Sequence, residues 1–213
     1  MNGRSLLLVF SGLWSGISMA TPILHTSDFI DDASRSHFNS FENIPNDGLL
    51  YTGGSGPYIE DGIRVEQING DSGNSIMVSY DPGGRDGRYA WYPIGGDRGF
   101  TSISLASGMD FYDVGFLIGS GHNPVSLAHY ELWNDGALVM SGSVSHKTSF
   151  HYLGFEGGGF DTIRLWDSTG VNALTLDAIE TRTKSATVPE PTVFSLLGLG
   201  LLGLGVTRYN RKN

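Results

Sequence analysis

Hydrophobic positions along the chain fall in short runs, some alternating with polar residues and some continuous, and Gly, Asp, Asn and Pro separate the runs. No long stretch repeats its apolar positions at helical spacing. Short runs at this spacing are typical of antiparallel sandwiches and barrels, so we expect an all-β fold, a jelly-roll-like antiparallel β-sandwich. The predicted strands are Gly62–Gln67, Ser75–Tyr80, Ser102–Leu105, Asp113–Ile118, Ser126–Trp133, Ala137–Val144, Ser149–Phe155, Phe160–Trp166 and Ala173–Thr181.

The clearest turn lies in "ELWNDGALVM", residues 131–140, where Asn134-Asp135-Gly136 separates two apolar strands. Asn, Asp and Gly accept the positive φ angles of a tight hairpin turn, so this segment predicts a β-hairpin. The polar segment Thr21–Ser40 predicts either a loose lead-in or an edge that covers the sandwich.

The chain ends in a Pro-Glu-Pro triplet, an apolar run and a basic tip. The run Val193–Val206 has 14 residues, so as a helix it covers roughly 21 Å, against about 30 Å of bilayer hydrocarbon. Its glycines weaken such a helix by about 1 kcal/mol each relative to alanine. We therefore interpret this short hydrophobic helix as part of a sorting signal, and the alternative is that it is a plain C-terminal membrane anchor.

The motif Val188-Pro189-Glu190-Pro191, followed by the apolar run and by Arg and Lys residues, resembles a PEP-CTERM sorting signal. The resemblance covers about the last 26 residues. It implies processing by an exosortase, a membrane transpeptidase-like enzyme of Gram-negative bacteria, with membrane contact through the C-terminal segment before processing. It also implies export to the cell envelope, the outer surface or the extracellular matrix of a biofilm.

The N-terminus carries the pattern of a signal peptide. Arg4 precedes the apolar stretch Leu6–Met19, and Ser18-Met19-Ala20 supplies small residues at the positions that a signal peptidase reads. We therefore predict a signal peptide over residues 1–20, a β-sandwich domain over 21–187 and a sorting signal over 188–213.

Composition excludes several classes of function. The chain has no cysteine, so it has neither disulfides nor thiolate metal ligands or nucleophiles. Removal of the two terminal signals takes away four basic residues and one acidic residue, leaving nine and 21 and a net charge of about −12. Such a surface repels nucleic acid, which we exclude as a partner, and it attracts cations.

One acidic pair joins the two ends of the predicted domain. Glu42 follows Phe41 near its start, and Asp177 lies in "LTLDAIE" in the last predicted strand. An early Phe-Glu with a late Leu-Asp-x-Ile resembles the pattern of many carbohydrate-binding modules. The resemblance implies a structural calcium ion at Glu42 and Asp177, because calcium binds carboxylate and carbonyl oxygens. The alternative is that both are ordinary solvated or hydrogen-bonded residues.

A second cluster lies in "DPGGRDGRYAWYPIGGDRG", where aromatic residues stand between two glycine-rich turns. Tyr89, Trp91 and Tyr92 are candidate ligand-binding residues, since aromatic rings stack on sugar rings. Alternation places Tyr89 and Trp91 on one face, and the alternative interpretation is that the inner face of this segment belongs to the core.

Catalytic patterns are weak. The mature region has no Gly-x-Ser-x-Gly elbow, no glycine-rich phosphate loop with lysine and no His-Glu-x-x-His. Carboxylate pairs for glycoside hydrolysis, such as Asp110 with Asp113 and Glu156 with Asp161, are many and unspecific. His146 and His151 are five residues apart, so on one strand they would point to opposite faces and would not bind a metal together. We predict no catalytic residues and a non-enzymatic structural or adhesive role. The alternatives are a carbohydrate-binding module that recognises exopolysaccharide and, third, a glycoside-active enzyme.

Overall fold

The computed structural model describes residues 21–44, 50–52, 56–69, 75–78, 86–93, 99–120, 126–146, 149–168 and 174–183. The predicted signal peptide and sorting signal, including the apolar run 193–206, lie outside these ranges. Among the described residues, no helix has the length and apolar character to cross a membrane. Apart from a single 3-10 turn at Asp32–Ser34, the regular elements described are β-strands.

The larger of two antiparallel sheets has eight strands. Its strand order is β1-β12-β9-β14-β7-β6-β3, and β2 pairs with the second half of β14. The strands are β1 (Ile23–His25), β2 (His37–Asn39), β3 (Leu50–Thr52), β6 (Ser75–Val78), β7 (Tyr89–Trp91), β9 (Phe111–Ser120), β12 (His151–Phe160) and β14 (Leu174–Arg182).

The smaller sheet has six strands in the order β11-β10-β13-β8-β5-β4, and all its described pairs are antiparallel. Because side chains alternate between the two faces of a strand, one face of this sheet is apolar and packs on the larger sheet. The strands are β4 (Tyr58–Glu60), β5 (Ile63–Ile68), β8 (Phe100–Leu105), β10 (Ser126–Asn134), β11 (Ala137–His146) and β13 (Thr162–Asp167).

The core lies between the two sheets and confirms the predicted sandwich. Its buried side chains come from both layers, and Trp91, Phe41, Phe116 and Phe155 are among the largest with no exposed surface. The indole N–H of Trp91 in one sheet donates to the hydroxyl of Thr101 in the other, at 3.1 Å. The aromatic centre of the core thus also carries a polar bond between the layers.

Each of the nine predicted strands overlaps an observed one, and five observed strands are additional: β1, β2, β3, β4 and β7. All five have three residues, so no alternating pattern can mark them in the sequence. The predicted hairpin is confirmed, with Asp135 and Gly136 at φ 49° and 79° between β10 and β11.

The segment Thr21–Ser40 is part of the sandwich rather than a loose lead-in. It supplies β1 at an edge of the larger sheet and β2 beside β14. His25 contacts Glu156 at 2.9 Å, and Ser36 donates its backbone N–H to the Thr181 carbonyl at 2.7 Å. The interpretation of this segment as a covering edge is therefore the correct one.

Regular alternation along the last predicted strand places Ala178 on one face with Leu176 and Ile179 on the opposite face with Asp177, and the structure departs from this beyond Asp177. A β-bulge in β14, marked by a register shift between Asp177 and Glu180 and by φ 47° at Ala178, inserts one extra residue. Ile179 consequently joins the core beside Leu176.

Candidate functional site

Glu42 is placed by a strained turn at the end of the N-terminal segment. Phe41 has φ 60°, an unusual conformation for a bulky residue, and its ring is fully buried against Tyr58 with ring centroids 5.7 Å apart. This turn aims the Glu42 carboxylate at the loop before β7. Its Oε1 accepts the backbone N–H groups of Arg88 at 2.5 Å and Tyr89 at 2.6 Å. A Cβ at position 87 would collide with the carboxylate, so this close approach requires Gly87.

Asp177 reaches the same loop from the opposite end of the chain. It lies at the bulge of β14 and has no exposed surface. Its Oδ2 accepts the backbone N–H of Asp86 at 2.9 Å, and its Oδ1 accepts that of Ala178 at 2.8 Å. The structure therefore brings the two carboxylates of the predicted pair to one turn, residues 86–89. Phe41, which precedes Glu42, and Ala178, which follows Asp177, both have positive φ.

The electrostatics of this turn disfavour a second negative charge. Burial raises the pKa of Asp177 to about 8, and the nearby charges of Asp86 and Glu42 add to the increase, although two backbone N–H bonds oppose it. A cation between the carboxylates would remove this cost. Among the described residues, no three His, Cys, Asp or Glu side chains are grouped as a complete metal site.

The candidate ligand-binding aromatics lie mainly in the core. Trp91 has no exposed surface and Tyr89 is 5% exposed, so neither presents a ring face on which a sugar could stack. Tyr92 is half-buried, and burial raises the pKa of its hydroxyl. For Tyr89 and Trp91 the structure thus corresponds to the core interpretation, because β7 is an inner strand, paired with β6 and β14.

A different aromatic surface, not identified from the sequence, lies on the outer face of the six-stranded sheet. Buried residues alternate along β8, β10 and β13, and the residues between them are partly exposed on the opposite face. We call this the outer aromatic face, and it comprises Phe100, His129, Glu131, Trp133, Arg164 and Trp166.

Contacts within the outer aromatic face hold the rings in place. His129 stacks on Trp166 with ring centroids 5.4 Å apart, and the two residues are direct cross-strand partners. The guanidinium of Arg164 lies 4.0 Å from the Trp133 ring and 5.0 Å from the Phe100 ring. Trp133 donates its indole N–H to Glu131 at 2.8 Å. The face therefore combines fixed aromatic rings with charged hydrogen-bonding groups.

The carboxylate pairs considered for catalysis are engaged or exposed. Asp113 is fully buried and paired with Arg182 at 2.7 Å, while Glu156 contacts His25. Asp110 is exposed, and its pKa is raised by burial and by the charges of Asp161 and Asp135. His146 ends β11 and His151 begins β12, so the two lie in different sheets.

Comparison with known proteins identifies the C-terminal segment. Residues 187–212 match the PEP-CTERM protein-sorting motif, which confirms the sorting signal expected from the sequence. The motif marks an exported protein of Gram-negative bacteria and implies processing by an exosortase. No curated protein matches the chain.

Two solved structures resemble the fold at low identity. One is the CBM22-1 xylan-binding domain of Paenibacillus barcinonensis Xyn10C, with 15% identity, a TM-score of 0.38, and coverage of 68% of this chain and 91% of that domain. The other is the CBM22-1–CBM22-2 tandem domain of the same protein, with 14% identity, a TM-score of 0.42, and coverage of 76% and 50%. The assignment of the sandwich itself rests on the two sheets described above.

Proposed function

We propose that this exported, PEP-CTERM-sorted protein is a non-enzymatic adhesive component of the cell envelope or biofilm matrix, and that its outer aromatic face binds a glycan. The observation that carries the proposal is the position of Trp133 and Trp166, two large rings on the solvent side of a sheet whose other side is core.

The arrangement of this face suits an extended sugar chain. Trp166 pairs with His129, and Trp133 lies four residues further along β10, which separates the two aromatic positions by about 13 Å at strand spacing. A ligand that covers both positions must be longer than one ring. Glu131 and Arg164, directly opposite each other between these positions, supply an acceptor and a donor for hydroxyl groups.

The outer aromatic face can be tested by alanine substitution. We expect Trp133→Ala and Trp166→Ala each to weaken glycan binding about tenfold, since each removes a stacking surface, while the melting temperature changes little. The measurement is affinity electrophoresis of the exported protein against a panel of neutral and acidic linear polysaccharides. Tyr112→Ala is the matched control, because Tyr112 is a 41% exposed aromatic on β9 of the other sheet. Binding that survives both tryptophan substitutions, or the absence of any bound glycan, contradicts the proposal.

We also propose that calcium binds between Glu42 and Asp177. The proposal is supported by the convergence of Glu42, Asp86 and Asp177 on one turn, by the raised pKa of Asp177 and by strain at both adjoining residues. Both N–H groups of the turn bond to Oε1 of Glu42, and calcium binds carboxylate oxygens. The ion would tie the N-terminal segment to the last strand.

Calcium should change both stability and its pH dependence. Because the folded pKa of Asp177, about 8, exceeds the ordinary 3.8, the folded state holds this proton more tightly. Without calcium, this group should lower the free energy of unfolding as the pH rises from about 4 to about 8. Calcium at a hundredfold excess over its Kd should restore about 2.7 kcal/mol at pH 8, a shift of several degrees in melting temperature. Magnesium should do much less.

The measurement is thermal unfolding between pH 4 and pH 9 in EDTA, calcium and magnesium. Asp177→Asn should remove the calcium shift and only reduce the pH slope, because burial also raises the pKa of Glu180, to about 7. Asp110→Asn, which deletes an exposed charge, should keep the calcium shift. Equal effects of the two metals, or a full calcium shift in Asp177→Asn, would exclude a specific site at Asp177.

A further inference from the structure

Apart from the short strand β2, which pairs with β14 only, the two sheets have four edge strands in the described part of the chain, and these differ greatly in length. In the described part of the chain, the edge strands β1, β3 and β4 have three residues each, whereas β11 has ten. An edge strand exposes unpaired backbone N–H and C=O groups that another strand can pair with, and short edge strands limit this risk. Three of these edge strands are too short to pair stably with another chain, whereas β11 is long enough to do so.

The sequence of β11 also lacks the usual protection. Its residues, "ALVMSGSVSH", include no Asp, Glu, Lys, Arg or Pro. A bulge opposite Leu132 and Trp133 disturbs only the part next to the hairpin, and from Met140 onward the register with β10 is regular to His146. In the described structure, β11 pairs with β10 on one side only. The open side therefore presents seven regularly spaced residues.

The side chains of β11 allow a second strand to approach. Met140 and Val144 are partly buried against the core, which extends to this edge. Ser141, Ser143 and Ser145 are exposed, and their small side chains leave the backbone accessible. A paired strand would continue the apolar layer on one face and place hydroxyl groups opposite it on the other.

We propose that the open edge of β11 pairs antiparallel with β11 of a second copy of this chain. A second copy fits this strand, because Met140 and Val144 would meet the same apolar residues of the partner strand. The net charge of about −12 makes two copies repel, but β11 adds no Asp, Glu, Lys or Arg to the contact. Antiparallel pairing of identical strands is self-complementary about a two-fold axis. It joins the two six-stranded sheets into one continuous sheet. The proposal does not depend on glycan binding.

The first test is the mass of the exported protein in solution, by light scattering and sedimentation over a range of concentrations. We expect a dimer that the double variant S141K/S143K weakens at least about tenfold, because like charges then face each other across the axis. Added lysines reduce the net negative charge, so general electrostatics predicts the opposite sign. The control Ile59→Lys adds a lysine at the 52% exposed position on β4, the other edge of the same sheet, and should leave the dimer intact. A monomeric wild type, or a dimer insensitive to S141K/S143K, overturns the proposal.

The second test locates the axis and does not depend on lysine tolerance. Because the chain has no cysteine, a single introduced cysteine can form only an intermolecular disulfide, and it should do so fastest where two copies meet. Among Ser141→Cys, Ser143→Cys and Ser145→Cys, we expect one position to crosslink fastest, and Ser107→Cys in an exposed turn to stay uncrosslinked. Equal crosslinking at Ser107 and on β11 indicates random collision and contradicts the pairing.

Discussion

Replacing Trp91 with alanine is expected to lower the free energy of unfolding by about 3–5 kcal/mol. Trp91 has no exposed surface, lies between β6 and β14 in the larger sheet, and packs on Phe41 with ring centroids 6.2 Å apart. The substitution opens a cavity and also removes the indole donor of Thr101, whose hydroxyl in turn donates to Gln67 at 3.0 Å. Equilibrium denaturation at fixed pH and calcium concentration measures the loss.

Two further variants separate the causes of this loss. Trp91→Phe keeps most of the apolar volume and should cost less than Trp91→Ala, leaving mainly the lost hydrogen bond, about 1 kcal/mol, and some repacking. Trp133→Ala deletes the same side chain from the outer aromatic face and should cost about 1 kcal/mol or less, as partly exposed positions usually do. Comparable losses for Trp91→Ala and Trp133→Ala would contradict the central position of Trp91.

Replacing Arg182 with methionine is expected to cost about 3–5 kcal/mol, because it leaves the carboxylate of Asp113 buried without its charged partner. Asp113 has no exposed surface, and Nε and Nη2 of Arg182 both donate to its Oδ2 at 2.7 Å. Its other oxygen accepts the Gly157 N–H at 3.0 Å, which alone does not compensate a buried charge. The free energy of unfolding again measures the effect.

The chain contains a matched surface pair for comparison. Arg64 contacts Glu66 at the same 2.7 Å, but the two side chains are 43% and 22% exposed, so Arg64→Met should cost about 1 kcal/mol or less. Adding Asp113→Asn to Arg182→Met should recover part of the loss, since a neutral amide is cheaper to bury. If Arg182→Met and Arg64→Met cost the same, desolvation of Asp113 is not the cause.

The sequence predicts a strand well where the strand is long enough for polar and apolar residues to alternate. In β8 and β13, polar and apolar residues alternate over four residues, Ser102–Leu105 and Thr162–Leu165, and the sequence-based boundaries fall within about two residues of the observed ones. The three-residue strands are different, because pairing with neighbours defines them. β7 is an example: "YAW" has no polar phase, and all three residues are buried between β6 and β14.

The candidate sites, too, could be predicted only where the residue pattern along the sequence marks them. The pairing of Glu42 with Asp177 could be expected from the resemblance to carbohydrate-binding modules, and the structure places both at the turn 86–89. The bulge at Ala178 could not be foreseen, because alternation assumes a regular strand. Trp133 and Trp166 could have been found: each occupies the polar phase of a predicted strand, whereas Trp91 lies in a segment without one.

The central position of β14 has a mechanical consequence. The sorting motif begins at residue 187, shortly after β14 ends at Arg182, so a C-terminus held at the surface, as the proposed function has it, would transmit tension into the sandwich along this strand. β14 is held by β9 on one side and by β7 and β2 on the other, and Arg182 is locked to Asp113 where the pull arrives. Tension directed along β14 would load the bonds to its neighbours together, as shear, and on both sides of the strand, whereas an edge strand is bonded on one side only. An attachment at this end would therefore pull on a central strand of the larger sheet.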